Sequence, residues 1–235
     1  MPHTSKKARK GNTGTSSRTT YIIVGVVIAI VAVAAGFFAY SSMRSTTTTN
    51  TSNTTSTISS QSGLVYAKFD TSQGTFEAEL FQSLTPQTVS NFVSLANSGF
   101  YNNLVWHRIV QNFVIQTGDP NTRNGAGTPC SWGQGTSSTS VPFEYVASLH
   151  NDYGYLGMAS TGAKVGGSSQ FYINLANNTS LDGSYAVFGK VISGMNVVNA
   201  IGNLQVSTAC SSSGGSPPAN PSQAMLISVT IQNSP

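Results

Sequence analysis

Charge is what this 235-residue sequence has least of: Asp, Glu, Lys and Arg together make up 8% of it, against ~25% in an ordinary soluble domain. The few charges are also unevenly placed. Lys6, Lys7, Arg9, Lys10, Arg18 and Arg44 account for six of the eleven basic residues, and no acid precedes Asp70. From residue 64 onward five basic and seven acidic residues remain, a net of −2. The formal charge of +4 therefore describes only the N-terminal stretch, and a nucleic-acid interface is excluded for the rest. Cysteine is nearly missing too, with only Cys130 and Cys210. There is no CxxC and no closely spaced His pair, so no metal site is expected, and nothing points to a cofactor. No G-x-S-x-G elbow is present, which argues against that class of serine hydrolase. Asn124-Gly125-Ala126-Gly127 lacks the Lys-Ser/Thr ending of a phosphate loop. Internal repeats are absent.

What is present begins with one long apolar run. Tyr21 to Tyr40 is twenty residues without a charge, the length at which a helix crosses a bilayer core of ~30 Å. Tyrosines mark both ends and Phe37-Phe38 lie near the second, as an interfacial belt requires. The basic flank precedes the run, so residues 1–20 are expected as a cytoplasmic tail and the C-terminal part as extracytoplasmic. The alternative is a cleaved signal peptide. Its apolar region is normally ~7–15 residues, shorter than this one, although Ala34-Ala35-Gly36 offers small residues for cleavage. Residues 41–63 are almost entirely Ser, Thr and Asn, cannot bury apolar area, and read as a linker. An outside compartment permits a disulfide, so Cys130 and Cys210 are expected to pair, with two free thiols as the alternative.

Residues 64–235 read as one folded domain. Leu64–Asp70 and Thr75–Phe81 alternate around Thr71-Ser72-Gln73-Gly74, a hairpin signal. Thr85-Pro86 reads as an N-cap and first helical residue. Val89, Phe92, Val93 and Ala96 continue at helical spacing until Gly99. Further strands are expected at Val105–Ile109, Phe113–Gln116, Tyr155–Ala159, Gln170–Leu175, Ala186–Ile192 and Met225–Ile231, with a second helix at Met195–Ile201. A mainly β fold with eight strands and two helices suggests a closed antiparallel barrel, since closure removes exposed edges.

One stretch carries more chemistry than the rest, Trp106-His107-Arg108-Ile109-Val110-Gln111-Asn112-Phe113-Val114-Ile115-Gln116-Thr117-Gly118-Asp119. Residues an even number apart share a strand face, so Arg108 and Gln116 are in phase. Phe113 is out of phase with both and joins them only if the ribbon bends near Gln111-Asn112. A cation, an apolar ring and an amide gathered there suit a peptide group beside an apolar side chain.

This run resembles the signature of the cyclophilins, the peptidyl-prolyl cis/trans isomerases. Around it, in the family's order, stand Phe69-Asp70, Gly74, Glu79-Leu80-Phe81, Pro86, Thr88, Asn91-Phe92 and Tyr101-Asn102. Later come Leu156-Gly157-Met158-Ala159-Ser160, Ser168-Ser169-Gln170-Phe171-Tyr172-Ile173, Leu181-Asp182-Gly183 and Val187-Phe188-Gly189-Lys190-Val191. The resemblance spans Val65 to Ile231 and implies a closed eight-stranded barrel capped by two helices. It implies Arg108, Phe113 and Gln116 as catalytic residues. His107, Val114, Ala159, Ser160, Gln170, Tyr172, Leu181 and Tyr185 are implied as a surround that binds substrate. Several positions depart from the family. Tyr172 stands where Phe is common, Val114 where Met is common, Ser160 where Asn is common and Ser180 where Trp is frequent. Tyr185 replaces a common His, as is usual in bacterial-type members. Valine and serine at 114 and 180 imply a shallower wall to the proline site.

The implied partners are proline-containing peptides and unfolded exported proteins, bound by a monomeric domain anchored to the membrane. The alternative is a proline-peptide-binding chaperone module with little or no turnover.

Overall fold

The computed structural model describes residues 64–210 and 215–235. The expected tail (1–20), membrane span (21–40) and linker (41–63) lie outside the described residues. Among those described, no helix is long and apolar enough to cross a membrane.

The alternating runs fold as antiparallel strands, nine among the described residues where eight are expected. β1 (Val65–Thr71) and β2 (Gly74–Leu80) form the first hairpin, and α1 (Pro86–Asn97) follows. Then come β3 (Leu104–Val105), β4 (Arg108–Val110), β5 (Val114–Thr117), β6 (Tyr155–Met158), β7 (Phe171–Asn174), β8 (Val187–Ser193), α2 (Met195–Gly202) and β9 (Met225–Gln232). Their order in the sheet is β3-β9-β1-β2-β8-β6-β7-β5-β4.

The expected closed barrel is therefore corrected to a curled, open half-barrel. The run read as one strand, Val105–Ile109, divides. β3 pairs with β9 and β4 pairs with β5, so its two halves lie at opposite edges of the sheet. Trp106 and His107 carry the chain from one edge to the other and are buried, with relative exposures of 0% and 5%. The Trp106 N–H still bonds the Ala224 carbonyl at 2.8 Å and so carries the β3–β9 pairing one residue further, but among the described residues no ladder joins β3 to β4, and the sheet stays open between them.

Aromatic rings fill the concave side. Phe171 is the hub, meeting Phe92, Tyr101, Trp106 and Phe188 edge-on at centroid distances of 5.4, 5.5, 5.8 and 6.3 Å. Such edge-to-face contacts add ~0.5–1.5 kcal/mol per pair beyond the area buried. α1 packs Thr88, Val89, Phe92 and Ala96 against this core. Thr85 holds the N-cap position, but its side chain makes no capping bond; its hydroxyl donates instead to the Phe81 carbonyl at 3.3 Å. The cap comes from far along the chain. The Glu144 carboxylate accepts from the backbone N–H groups of Gln87 (3.1 Å) and Thr88 (2.7 Å). A carboxylate there satisfies two orphan donors and meets the positive end of the helix dipole. It also ties the long 136–150 connection to the core.

Candidate active site

The β4–β5 hairpin builds the site. In its register Arg108 lies directly opposite Gln116 and Val110 opposite Val114, so the two polar side chains project from one face. The turn between the strands places Asn112 at φ +56° and closes with a bond from the Phe113 N–H to the Val110 carbonyl at 3.0 Å. Asparagine tolerates this left-handed backbone better than most residues. The bend is what brings out-of-phase Phe113 round to its partners. The Arg108 guanidinium carbon lies 5.9 Å from the centre of the Phe113 ring, within cation–π range.

A chain of hydrogen bonds fixes the arginine. Its Nη1 donates to Gln116 Oε1 at 3.1 Å. Gln116 Nε2 donates to Gln170 Oε1 at 2.9 Å. Gln170 Nε2 donates onward to the carbonyls of Gly133 (3.0 Å) and Gly135 (2.7 Å). Every amide orientation in this relay is determined, because turning either one over would set donor against donor. Burial lowers the Arg108 pKa below its usual value, opposed by Tyr185, yet a guanidinium starts so high that it stays charged.

A cleft of about 320 Å³ opens beside the arginine, lined by Arg108, Phe113, Val114, Gln116, Ala159, Ser160, Tyr172, Leu181 and Tyr185. Val114 and Tyr172 form a nearly closed floor at 1% and 4% exposure. Tyr172 crosses over Gly157, where any added Cβ would lie 2.2 Å from its ring. The Tyr172 hydroxyl points away from the cleft and donates to Asn151 Oδ1 at 2.6 Å. Burial, then Tyr185 and Asp182, push this phenol's pKa upward. The ring face left to the cleft is apolar, so Tyr172 presents there much what phenylalanine would. Tyr185 meets it edge-on at 6.2 Å.

Two residues expected around the substrate are not in the lining of this cleft but in that of its neighbours. Gln170 is behind Gln116 and lines an adjoining cleft of about 470 Å³ that shares Gln116, Ala159 and Ser160 with the first. His107 lines a third cleft of about 300 Å³ on the other side of Arg108, together with Trp132 and both cysteines. Burial lowers the His107 pKa to about 4, against the raising effect of Asp119, so the ring is neutral. Ser180 is exposed and does not line the proline cleft. Of the expected departures, Val114 and Tyr172 form the floor and Ser160 lines the cleft beside them.

Several contributors carried no signal in the sequence. The Gly133 and Gly135 carbonyls are backbone groups in a Gly/Ser-rich loop. Asn151 is a loop residue whose role appears only where Tyr172 meets it. Asp182 holds Asn151 in turn. Its partial burial raises its pKa, but the Asn151 N–H groups and the His150 ring keep it below the usual value. Cys130 and Cys210 are joined by a disulfide, 80 residues apart in sequence.

Comparison with known proteins places this geometry. Residues 66–228 match the family model described as "Cyclophilin type peptidyl-prolyl cis-trans isomerase/CLD". A peptidyl-prolyl cis-trans isomerase-like 1 of Aspergillus oryzae is 44% identical over 135 residues, 57% of this chain and 80% of that protein. The Arabidopsis thaliana isomerase CYP18-2 is 39% identical over 137 residues, 58% of this chain and 79% of that protein. The crystal structure of a Cryptosporidium parvum cyclophilin type isomerase superposes with a TM-score of 0.63 at 28% identity, covering 73% of this chain and 99% of that one. The same protein in the presence of the dipeptide Ala-Pro gives 0.61, covering 71% and 98%. The chain belongs to the cyclophilin-type peptidyl-prolyl cis/trans isomerases.

Proposed function

We propose that Arg108 drives the isomerisation by stabilising the twisted X–Pro amide, and that the domain works outside the cell membrane on exported or envelope proteins as they fold. The observation that carries the mechanism is the Arg108–Gln116 bond of 3.1 Å beside the apolar cleft. A peptide bond resists rotation by ~18–20 kcal/mol through amide resonance. Uncatalysed X–Pro exchange takes tens to hundreds of seconds. No covalent bond breaks. At the twisted geometry the amide nitrogen regains a lone pair, and a guanidinium N–H aimed at it acts only in the transition state. The proline ring sits on Phe113, Val114, Tyr172 and Leu181. Gln116 holds the fork in aim, and the backbone near Ser160 pairs with the extended peptide as a strand does. That a relative was crystallised in the presence of Ala-Pro supports a proline-containing ligand.

The location rests on the uncharged run Tyr21–Tyr40 behind a basic flank and on a disulfide, which persists in oxidising compartments. On this reading residues 21–40 anchor the chain and residues 41–63 tether residues 64–235 outside. An isomerisation assay on a proline tetrapeptide tests the mechanism: Arg108→Ala loses turnover, and an unchanged rate overturns it. Mass spectrometry of the mature N-terminus, with protease accessibility in intact cells, tests the anchor. A mature chain beginning after residue 36, or a protected domain, overturns it.

A further inference from the structure

The Cys130–Cys210 bond joins the two backbone walls that flank Arg108. On one side, Cys130 belongs to a short 3-10 turn (Pro129–Ser131) that runs directly into Trp132-Gly133. Trp132 is held by its indole N–H on the Ala126 carbonyl at 2.9 Å, and the Gly133 N–H by Asp119 Oδ2 at 2.6 Å. The Gly133 carbonyl, with that of Gly135 two residues on, is where the Gln170–Gln116–Arg108 relay ends. On the other side, Cys210 belongs to the connection between α2 and β9. The base of that connection is tied by the Val206–Pro218 bridge and by bonds from Ser207 N–H to the Pro217 carbonyl and from Ala219 N–H to the Gln205 carbonyl, both 2.8 Å. Its far end returns as Gly215-Ser216 along the outer edge of β4, where the Ile109 N–H donates to the Ser216 carbonyl at 2.9 Å. Gly215 presses on the arginine itself. A Cβ there would lie 2.5 Å from Val110 Cγ2, 3.0 Å from Arg108 Cγ and 3.1 Å from Arg108 Nε. The disulfide thus lines the same 300 Å³ cleft as Arg108, Gln116 and Gly215.

We propose that the Cys130–Cys210 disulfide is a positioning element for Arg108, clamping the relay-bearing loop and the Gly215 strand against the two sides of its side chain, so that reduction lowers catalysis while leaving the fold intact. The proposal rests on Arg108 acting in the transition state. Neither cysteine belongs to the buried apolar core, whose nearest member in the chain is Trp132, two residues from Cys130 and held separately by its indole N–H on the Ala126 carbonyl, so opening the bond leaves the core's own packing in place. A guanidinium released by its walls still binds peptide through the apolar floor, which places the loss in kcat rather than KM.

The experiment uses the full 235-residue chain in three states: oxidised, reduced with a phosphine, and as Cys130→Ser/Cys210→Ser. Circular dichroism at the assay temperature verifies folding. The expected result is a kcat lower by about tenfold or more in the reduced and double-serine states, the scale of a displaced catalytic group, with KM within about twofold, and recovery on reoxidation of the wild type. Gly215→Ala keeps the bond and pushes the wall off Arg108, and is expected to lower kcat as well. In an Arg108→Ala background, removing the disulfide is expected to have no further effect on the residual rate. Equal kcat in oxidised and reduced wild type overturns the proposal. So does a loss that persists undiminished in Arg108→Ala, or one that tracks the unfolded fraction. If Arg108→Ala itself leaves the rate unchanged, the transition-state role fails instead.

Discussion

β5 has two faces of opposite character. Inward, Ile115 and Thr117 are fully buried. Ile115 belongs to the continuous core, and the Thr117 hydroxyl is spent on the Val105 carbonyl at 2.9 Å. Outward, Val114 and Gln116 face a cleft, and Gln116 is one link in a relay ending at an arginine. The inward face has no donor left to offer a ligand; the outward face spends its hydrogen bonds on aiming one cation. Rigidity on one side is what makes geometry reliable on the other, because a strand whose inner residues cannot move fixes where its outer residues point.

The comparison breaks most severely from inside. Phe171→Ala removes the ring on which five others pack and is expected to cost ~3–5 kcal/mol of stability, measured by chemical denaturation. Turnover per folded molecule should change much less than stability does. A cost below ~1 kcal/mol would mean that the inward face is not one cooperative core.

From outside, Arg108→Ala is expected to lower kcat/KM by about 10²–10³, or ~2.7–4 kcal/mol of transition-state stabilisation. Its denaturation midpoint should stay close to wild type. The two variants together separate packing from catalysis: one moves stability, the other the rate.

Acid sharpens the contrast at its boundary, where His107 crosses between the sheet edges. The unfolded imidazole takes up a proton as pH falls through 6.5, while the buried one resists until about 4. Between those values the unfolded state binds more protons, so stability is fully present above 6.5 and is lost progressively on the way down. The loss approaches ~3 kcal/mol near pH 4, and His107→Gln should flatten that part of the profile. A wild-type denaturation midpoint unchanged from pH 7 to 4 would contradict the burial of a neutral ring.

The smallest expected effect is Tyr172→Phe. The hydroxyl it removes serves Asn151 and not the cleft, so kcat and KM should stay within about twofold while stability falls by ~0.5–1.5 kcal/mol. A large kinetic change would mean the phenol reaches the substrate.

How far the sequence goes can be judged from particular residues. Arg108 and Gln116 were legible as a pair because strand alternation is a local rule: eight residues apart with one turn between them leaves few other ways to share a face. The bend that admits Phe113 was legible as a condition, and Asn112 meets it. Tyr172 was legible as a departure from the family but not in its effect, since the partner that draws its hydroxyl away is twenty-one residues distant in a loop without periodicity. His107 adjoins Arg108 in sequence, yet alternation sends it to the other side of the strand.

The sequence alone determined both helices, every strand but the divided Val105–Ile109 run, the hairpin that pairs arginine with glutamine, and the family, because these rest on short-range spacing and on motifs in fixed order. Only the tertiary structure decided that the sheet stays open between β3 and β4, that Glu144 caps α1, that Gln170 holds Gln116 from an adjoining cleft, and that the two cysteines meet beside Arg108. Each of these depends on which distant segments meet. That is settled by the packing of the whole core, for which no local pattern in the chain is a record.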